Sequence, residues 1–196
     1  MRLLLIRHGR TASNVTRLLD TAPPGAPLDD VGLDQALALA DTLADEPIEA
    51  VYASDLIRSQ QTAEPLALRH GLEVIVRAGV REIQAGEDEM SADWVRYLTT
   101  IISWQSDIDT RIPGGETGRE VLARFDAVLG EARAKGHRTI AVVSHGAMIR
   151  TWAATRATNL TLDFLRTTSL ENTLVVDLAD AADGSWQVTR WGDKTP

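Results

Sequence analysis

Two apolar runs of strand length in this chain end in the same way. RLLLIRHG at residues 2–9 and TIAVVSHG at residues 139–146 each carry an aliphatic stretch that stops at a histidine followed by glycine. A short apolar run closed by polar residues reads as a buried strand. Side chains at the carboxyl end of such a strand emerge at the sheet edge where α/β proteins gather their ligands. If the two strands are neighbours, His8 and His145 reach one pocket, with Arg7 adjacent to His8. A third His-Gly pair, in LALRHGLEV at residues 66–74, repeats the first tripeptide in another setting. It follows a helical pattern, so Gly71 is expected to end a helix in a left-handed conformation. Arg69 and His70 are then last-turn cations that suit the helix dipole, a structural role.

Strands and helices alternate along the rest of the chain. VGLDQALALADTLAD at 31–45 places Val31, Leu33, Ala36, Leu37, Ala40 and Leu43 on a helical stripe. IEAVYAS at 48–54 and LEVIV at 72–76 read as strands around the helical DLIRSQQTAEPLALRHG, where Pro65 marks a kink or a break. TAPPGAP at 21–27 and IPGGET at 112–117 are loops. GREVLARFDAVLGEARAKG at 118–136 is the clearest amphipathic helix, with Gly136 as its cap. A helix over 147–156 follows the second His-Gly strand. NTLVVDLA and WQVTRW then form a hairpin around a turn at 180–185. This order predicts an α/β fold, a three-layer α/β/α sandwich with a mostly parallel central sheet. With 196 residues, one domain over 1–196 is expected.

Charge and composition exclude several functions. A net charge of −8 argues against nucleic acid or an anionic membrane as partner, since a phosphate backbone is held by a basic surface. A small phosphorylated ligand needs only a few cations converging locally. Cysteine is absent, which removes disulfides, thiolate metal sites and cysteine nucleophiles. The apolar run Leu3–Ile6 is too short for a leader or a membrane span, and a cytoplasmic location is expected. None of His8, His70, His137 and His145 shows the spacing of a helical zinc pair, so no metal and no cofactor is implied.

Two histidines with nearby arginines suit phosphoryl chemistry. A neutral imidazole is a good nucleophile toward phosphorus, and a phosphohistidine divides one hard displacement into two easier ones. Charge on the phosphoryl oxygens calls for several positive donors, and the planar arginine fork binds them bidentately. Arg7 and Arg58 are the candidates.

Five ordered motifs turn this chemistry into a resemblance. LIRHGRT with Asn14, YASDLIRSQQTAEPLA, REIQAGEDE, PGGET and VVSHGAMIR together resemble the histidine phosphatase superfamily, in the branch that holds the cofactor-dependent phosphoglycerate mutases and many small-metabolite phosphatases. The resemblance implies a phosphoglycerate mutase-like fold in which His8 carries the phosphoryl group. It further implies that Arg7, Asn14 and Arg58 bind phosphate, and that His145 binds the phosphoryl group and stabilises its charge. The backbone amide of Ala147 would add a helix N-terminal contact. Glu82 matches the proton donor, with Glu87, Asp88 and Glu89 as neighbouring competitors. A carboxylic acid beside a bound phosphate is suited to act first as acid and then as base.

Departures from the pattern bear on specificity. Arg10 stands where the family often has Glu, Ala53 replaces a common Ser, Asp29 a Thr and Met90 a Gly. Arg10 and Ala53 are expected to influence substrate choice, and Met90 the loop around Glu82. The segment 83–115 reads as a lid-like insertion. Within it Trp94, Leu98, Ile101, Ile102 and Trp104 fall at helical spacing, a stripe expected to be core packing. EIQAGEDEM lacks the Tyr-Gly motif and longer insertion of the true mutases, so the expected activity is a phosphatase acting on a small-molecule phosphate ester. Mutase-type phosphoryl transfer is the alternative, and a catalytically silent binding domain the second. The late hairpin leaves an edge strand through which a homodimer could form.

Overall fold

β1 (Arg2–Arg7) lies inside the sheet, and its four aliphatic residues Leu3–Ile6 are fully buried. Burying each such side chain stabilises the fold by roughly 1.5–3 kcal/mol. The computed structural model describes residues 1–181 and 184–196. After β1 come α1 (Ala12–Thr16), α2 (Asp30–Thr42), β2 (Ala50–Ala53), α3 (Ile57–Arg69) and β3 (Val74–Val76). The chain continues through α4 (Val95–Ser103), α5 (Gly118–Ala134), β4 (Thr139–Ser144), α6 (Gly146–Arg156), α7 (Leu162–Thr167), β5 (Val175–Asp180) and β6 (Trp186–Trp191).

The sheet order is β3-β2-β4-β1-β5-β6. β3, β2, β4 and β1 are parallel, and the hairpin β5–β6 adds two antiparallel strands on the β1 side. Residues 182 and 183 of the expected turn lie outside the described residues. Period-two alternation divides the core between two faces. Leu4, Ile6, Val51 and Val143 pack with Leu39, Ala63 and Leu66 from α2 and α3. Leu3, Leu5 and Val142 pack with Val121, Phe125 and Trp152 from α5 and α6. The result is the three-layer sandwich that the alternation predicts.

Three local details go beyond the sequence pattern. Pro65 neither ends nor divides α3, which runs through to Arg69 with Ala63, Leu66 and Ala67 buried on the sheet. Tertiary burial outweighs the lost backbone hydrogen bond. α1 and α7 carry no readable period because each is under two turns long; Thr11 and Thr161 cap them. The edge β6 is covered at its start: Thr158 donates to Trp186 O at 2.9 Å, and the Asn159 side chain exchanges hydrogen bonds of 2.8 and 2.9 Å with Val188. Those ladder groups are unavailable to a second copy.

Candidate active site

β1 and β4 pair in parallel with Arg7 opposite Ser144, so the residues that follow, His8 and His145, leave the sheet side by side. Their ring centroids are 5.0 Å apart. Nδ1 of His8 lies 2.7 Å from Gly9 O. A carbonyl only accepts, so Nδ1 carries the proton and Nε2 the lone pair. Arg58 Nε donates to that Nε2 at 3.1 Å. Burial, followed by the charges of Arg58 and Arg7, holds the His8 pKa well below the usual imidazole range. His8 is therefore neutral at neutral pH.

His145 sits behind His8, fully buried and outside the residues that line the cavity. Its Nε2 is 2.7 Å from Ser54 Oγ, while its Nδ1 is buried with no hydrogen-bond partner. Ser54 Oγ also accepts from Leu56 N at 3.3 Å; when its hydroxyl hydrogen is donated to His145 Nε2, the ring proton sits on Nδ1. Burial, then Arg58, also lowers the His145 pKa well below its ordinary value.

Two guanidiniums complete the floor of a cavity of about 300 Å³. Arg58 donates through Nη2 to Asp20 O at 2.7 Å, and its Nη1 stands 3.5 Å from Asp20 Oδ1. Arg7 donates through Nη1 to Leu170 O at 2.6 Å. Arg7 Nε and Arg58 Nη1 are buried without hydrogen-bond partners among the described residues. Burial is the first cause lowering both pKa values. Desolvated cations with unmet donors favour an incoming anion. Gly25 protects this arrangement: it has φ +67, and a Cβ there would lie 2.5 Å from Arg58 Nη1.

Glu82 reaches the same cavity from the loop before α4. Its Oε1 accepts from the amides of Ile83 at 2.9 Å and Met148 at 2.8 Å, and its Oε2 from Ala147 at 3.1 Å. The Ala147 amide, expected to contact phosphate, is thus engaged by Glu82. α6 has no side-chain cap at its N-terminus, and the Glu82 carboxylate satisfies those donors instead. Arg124 on α5 fixes the loop, donating to the carbonyls of Gly79, Arg81 and Glu82 at 2.8, 2.8 and 3.0 Å while pairing with Glu116 at 2.6 Å. The competing acids are used elsewhere. Glu87 and Asp88 pair with Arg96, and Glu89 accepts from the amides of Thr21 and Ala22.

Asn14 lines the cavity from α1. Its Oδ1 accepts from Thr11 N at 3.2 Å in a capping box and from Asn172 Nδ2 at 3.2 Å, which leaves its own amide NH₂ as the donor toward an anion. Asn172 also donates to His8 O at 2.8 Å, tying the segment after α7 to the His8 loop. Asp20, Ser54, Arg124 and Asn172 escaped the sequence reading. Only Ser54 left a signal, its position just past a strand that pairs with β4.

The departures resolve differently from expectation. Arg10 pairs with Asp29 at 2.9 Å and does not line the cavity, so one departure compensates another. Ala53 is buried among core residues and likewise does not touch the cavity. Met90 adopts φ 61, the left-handed conformation that glycine takes most easily. The apolar stripe on α4 is also divided. Trp104 is buried, but Trp94 and Leu98, 36% and 41% exposed, form the cavity's apolar rim with Leu18.

Known proteins resemble this chain in sequence and in fold. A stretch of 104 residues, 50% of the chain, is 43% identical to PE-PGRS family protein PE_PGRS11 of Mycobacterium tuberculosis, and spans only 18% of that protein's length. The probable phosphoglycerate mutase GpmB of Escherichia coli is 31% identical over 157 residues, covering 74% of this chain and 70% of GpmB. Among solved structures, a mycobacterial glucosyl-3-phosphoglycerate phosphatase complexed with VO3 superimposes with a TM-score of 0.81 at 25% identity, covering 98% of this chain and 99% of that one. No helix among the described residues is long and apolar enough to cross a membrane. The family model of the histidine phosphatase superfamily (branch 1) matches residues 3–194, and it is to this family that the chain belongs.

Proposed function

We propose that the protein is a phosphatase that hydrolyses a small phosphomonoester through a phosphohistidine on His8. The observation that carries this reading is the fixed tautomer of His8, with the Nδ1 proton held by Gly9 O and the Nε2 lone pair directed to Arg58. In the first step Nε2 attacks phosphorus, the phosphorus–ester oxygen bond breaks, and the leaving oxygen takes a proton from Glu82. Glu82 Oε1 already accepts two amides and Oε2 one, so Oε2 is the oxygen assigned to the proton. In the second step a water attacks phosphorus and gives its proton to Glu82. The nitrogen–phosphorus bond breaks, and orthophosphate leaves with the Nε2 lone pair restored.

Arg7, Arg58 and the Asn14 amide bind the phosphoryl oxygens, where charge-assisted hydrogen bonds in a water-poor site are strongest. Arg58 Nε exchanges its bond to Nε2 for one to phosphate as the nucleophile engages. His145 directs its Nδ1 proton toward the phosphoryl group on His8, with Ser54 setting its tautomer.

Phosphate release tests this reading, measured from an aryl phosphate and a panel of phosphorylated metabolites between pH 5 and 8, for the wild type beside His8→Ala. The panel includes glucosyl-3-phosphoglycerate, the ester named for the structural neighbour. Release that disappears in His8→Ala is the expected result. Similarity to GpmB favours phosphoryl transfer to a second hydroxyl as the other reading. Interconversion of phosphoglycerates without release would establish it, and neither reaction on any substrate would point to a silent binding domain.

A further inference from the structure

A second concavity of about 750 Å³ shares Arg150 with the first and, like it, is lined by residues of α4 and α6. On α6, Ala147 lines the His8 cavity, Arg150 lines both, and Ala154 lines only the second. These positions fall on one helix face. α4 repeats the progression, with Leu98 in the first cavity and Ile101 in the second. From Ala147 to Ala154 the helix rises about 10 Å. The two concavities therefore meet at Arg150.

The chemistry of the second differs from that of the floor. The charge at the junction is already engaged: Arg150 donates to Leu165 O at 2.8 Å and to Thr168 O, and its guanidinium lies 5.7 Å from the Trp191 ring centroid. Beyond the junction Arg166 is the other charged residue of the lining, and Ile102 and Leu162 are 64% and 52% exposed. Apolar walls left open to water gain by covering with an apolar group.

We propose that this groove receives the distal part of the substrate's leaving group, and that the preferred substrate is a phosphomonoester of an elongated apolar alcohol. This rests on the His8 cavity being the phosphatase site. The shared Arg150, and the two helices that line both concavities, are what select a leaving group over a separate partner as the occupant.

The test is calorimetric binding of n-alkylphosphonates, ethyl to decyl, each below its micelle concentration, to the wild type and to Ala154→Trp. In the wild type, affinity should climb roughly fourfold per methylene once the chain passes Arg150. Ala154 is exposed, so the indole fills the groove rather than the core, and the climb should flatten. Thr151→Arg, which adds a further charge to a groove already lined by Arg150 and Arg166, should flatten it as well, and it keeps the test open if the tryptophan variant folds poorly. A flat series in the wild type, or a climb that survives both substitutions, overturns the proposal. So does a wild-type dimer that Ala154→Trp dissociates in sedimentation velocity, since the groove would then belong to a second copy. Phosphonate binding needs no turnover. A flat series with intact phosphate release removes only the groove, whereas a climb without release removes only the phosphatase reading.

Discussion

At the floor of the cavity His8 and Arg58, with His145 behind them, are at most 3% exposed, while on the rim Trp94 and Leu98 are more than a third exposed. The floor is set by topology. Adjacent parallel strands deliver two imidazoles and α3 delivers a buried guanidinium; backbone carbonyls orient His8 and Arg58, and the Ser54 hydroxyl orients His145. The rim belongs to α4 and its N-terminal boundary, where Tyr97 is buried while Val95 and Ile102 face water. Groups that perform chemistry must be held within fractions of an ångström, and burial achieves that. Groups that select a leaving group need only present the right surface, so they tolerate exposure and change.

Glu82→Gln probes the floor with the largest expected effect beyond loss of His8. With an alkyl phosphate, whose leaving oxygen needs a proton, kcat/KM should fall about 10²–10⁴-fold. With p-nitrophenyl phosphate, whose leaving group departs as an anion, the loss should be far smaller. Equal losses on both substrates would make Glu82 a positioning group for α6 rather than a proton donor.

Rim substitutions should show the opposite selectivity. Leu98→Ala and Trp94→Ala each remove apolar surface from the leaving-group side, so kcat/KM for a bulky ester should fall about tenfold. Ethyl phosphate, which does not reach the rim, should change by less than about twofold. The division between floor and rim would collapse if both substrates lost equally.

Acid should weaken the floor and spare the rim. His8 and His145 both have folded-state pKa values well below the ordinary imidazole value, chiefly through burial. Below about pH 6.5 the unfolded chain binds protons that the folded chain refuses. Stability contributed by these groups is therefore full above that pH and is lost as pH falls toward the lowered folded values. Each histidine adds up to about 1.4 kcal/mol per pH unit to the slope. Urea unfolding of the wild type and His145→Gln at pH 5.5 and 7.5 should show a shallower dependence in the variant. An unchanged slope would mean that His145 is protonated in the folded protein.

The legibility of these regions follows the same physics. Strand ends were readable because burial demands unbroken aliphatic runs, so His8, His145 and their adjacency could be inferred from residues 2–9 and 139–146 alone. His70 was separable from His8 by what precedes it, and it does cap α3, with its Nε2 3.1 Å from Leu43 O and Gly71 at φ +67. The residues that support the floor carry no period. Asp20 lies 38 positions from Arg58, and Asn172 lies 164 from His8, in loops whose course the local sequence does not determine. Arg10 and Asp29 misled for the related reason that two unusual residues compensated each other at a distance.

Met90 joins the two regions, lying between Glu82 and α4, and carries the smallest effect. Its amide donates to Leu19 O at 2.8 Å, and Ser91 O accepts from Leu19 N at 2.9 Å, so the backbone is held at φ 61 from both sides. A side chain in that conformation strains the chain by about 1–2 kcal/mol, part of which glycine returns as unfolded-state entropy. Met90→Gly should therefore stabilise the protein by about 0.5–1 kcal/mol, raising Tm by about 1–4 °C. Met90→Ala, which keeps a Cβ, should give no such gain. A rise in Tm with unchanged kcat/KM would place the strain in the connection between floor and rim. A rise accompanied by lower activity would mean that the strained loop also holds Glu82 at its working position.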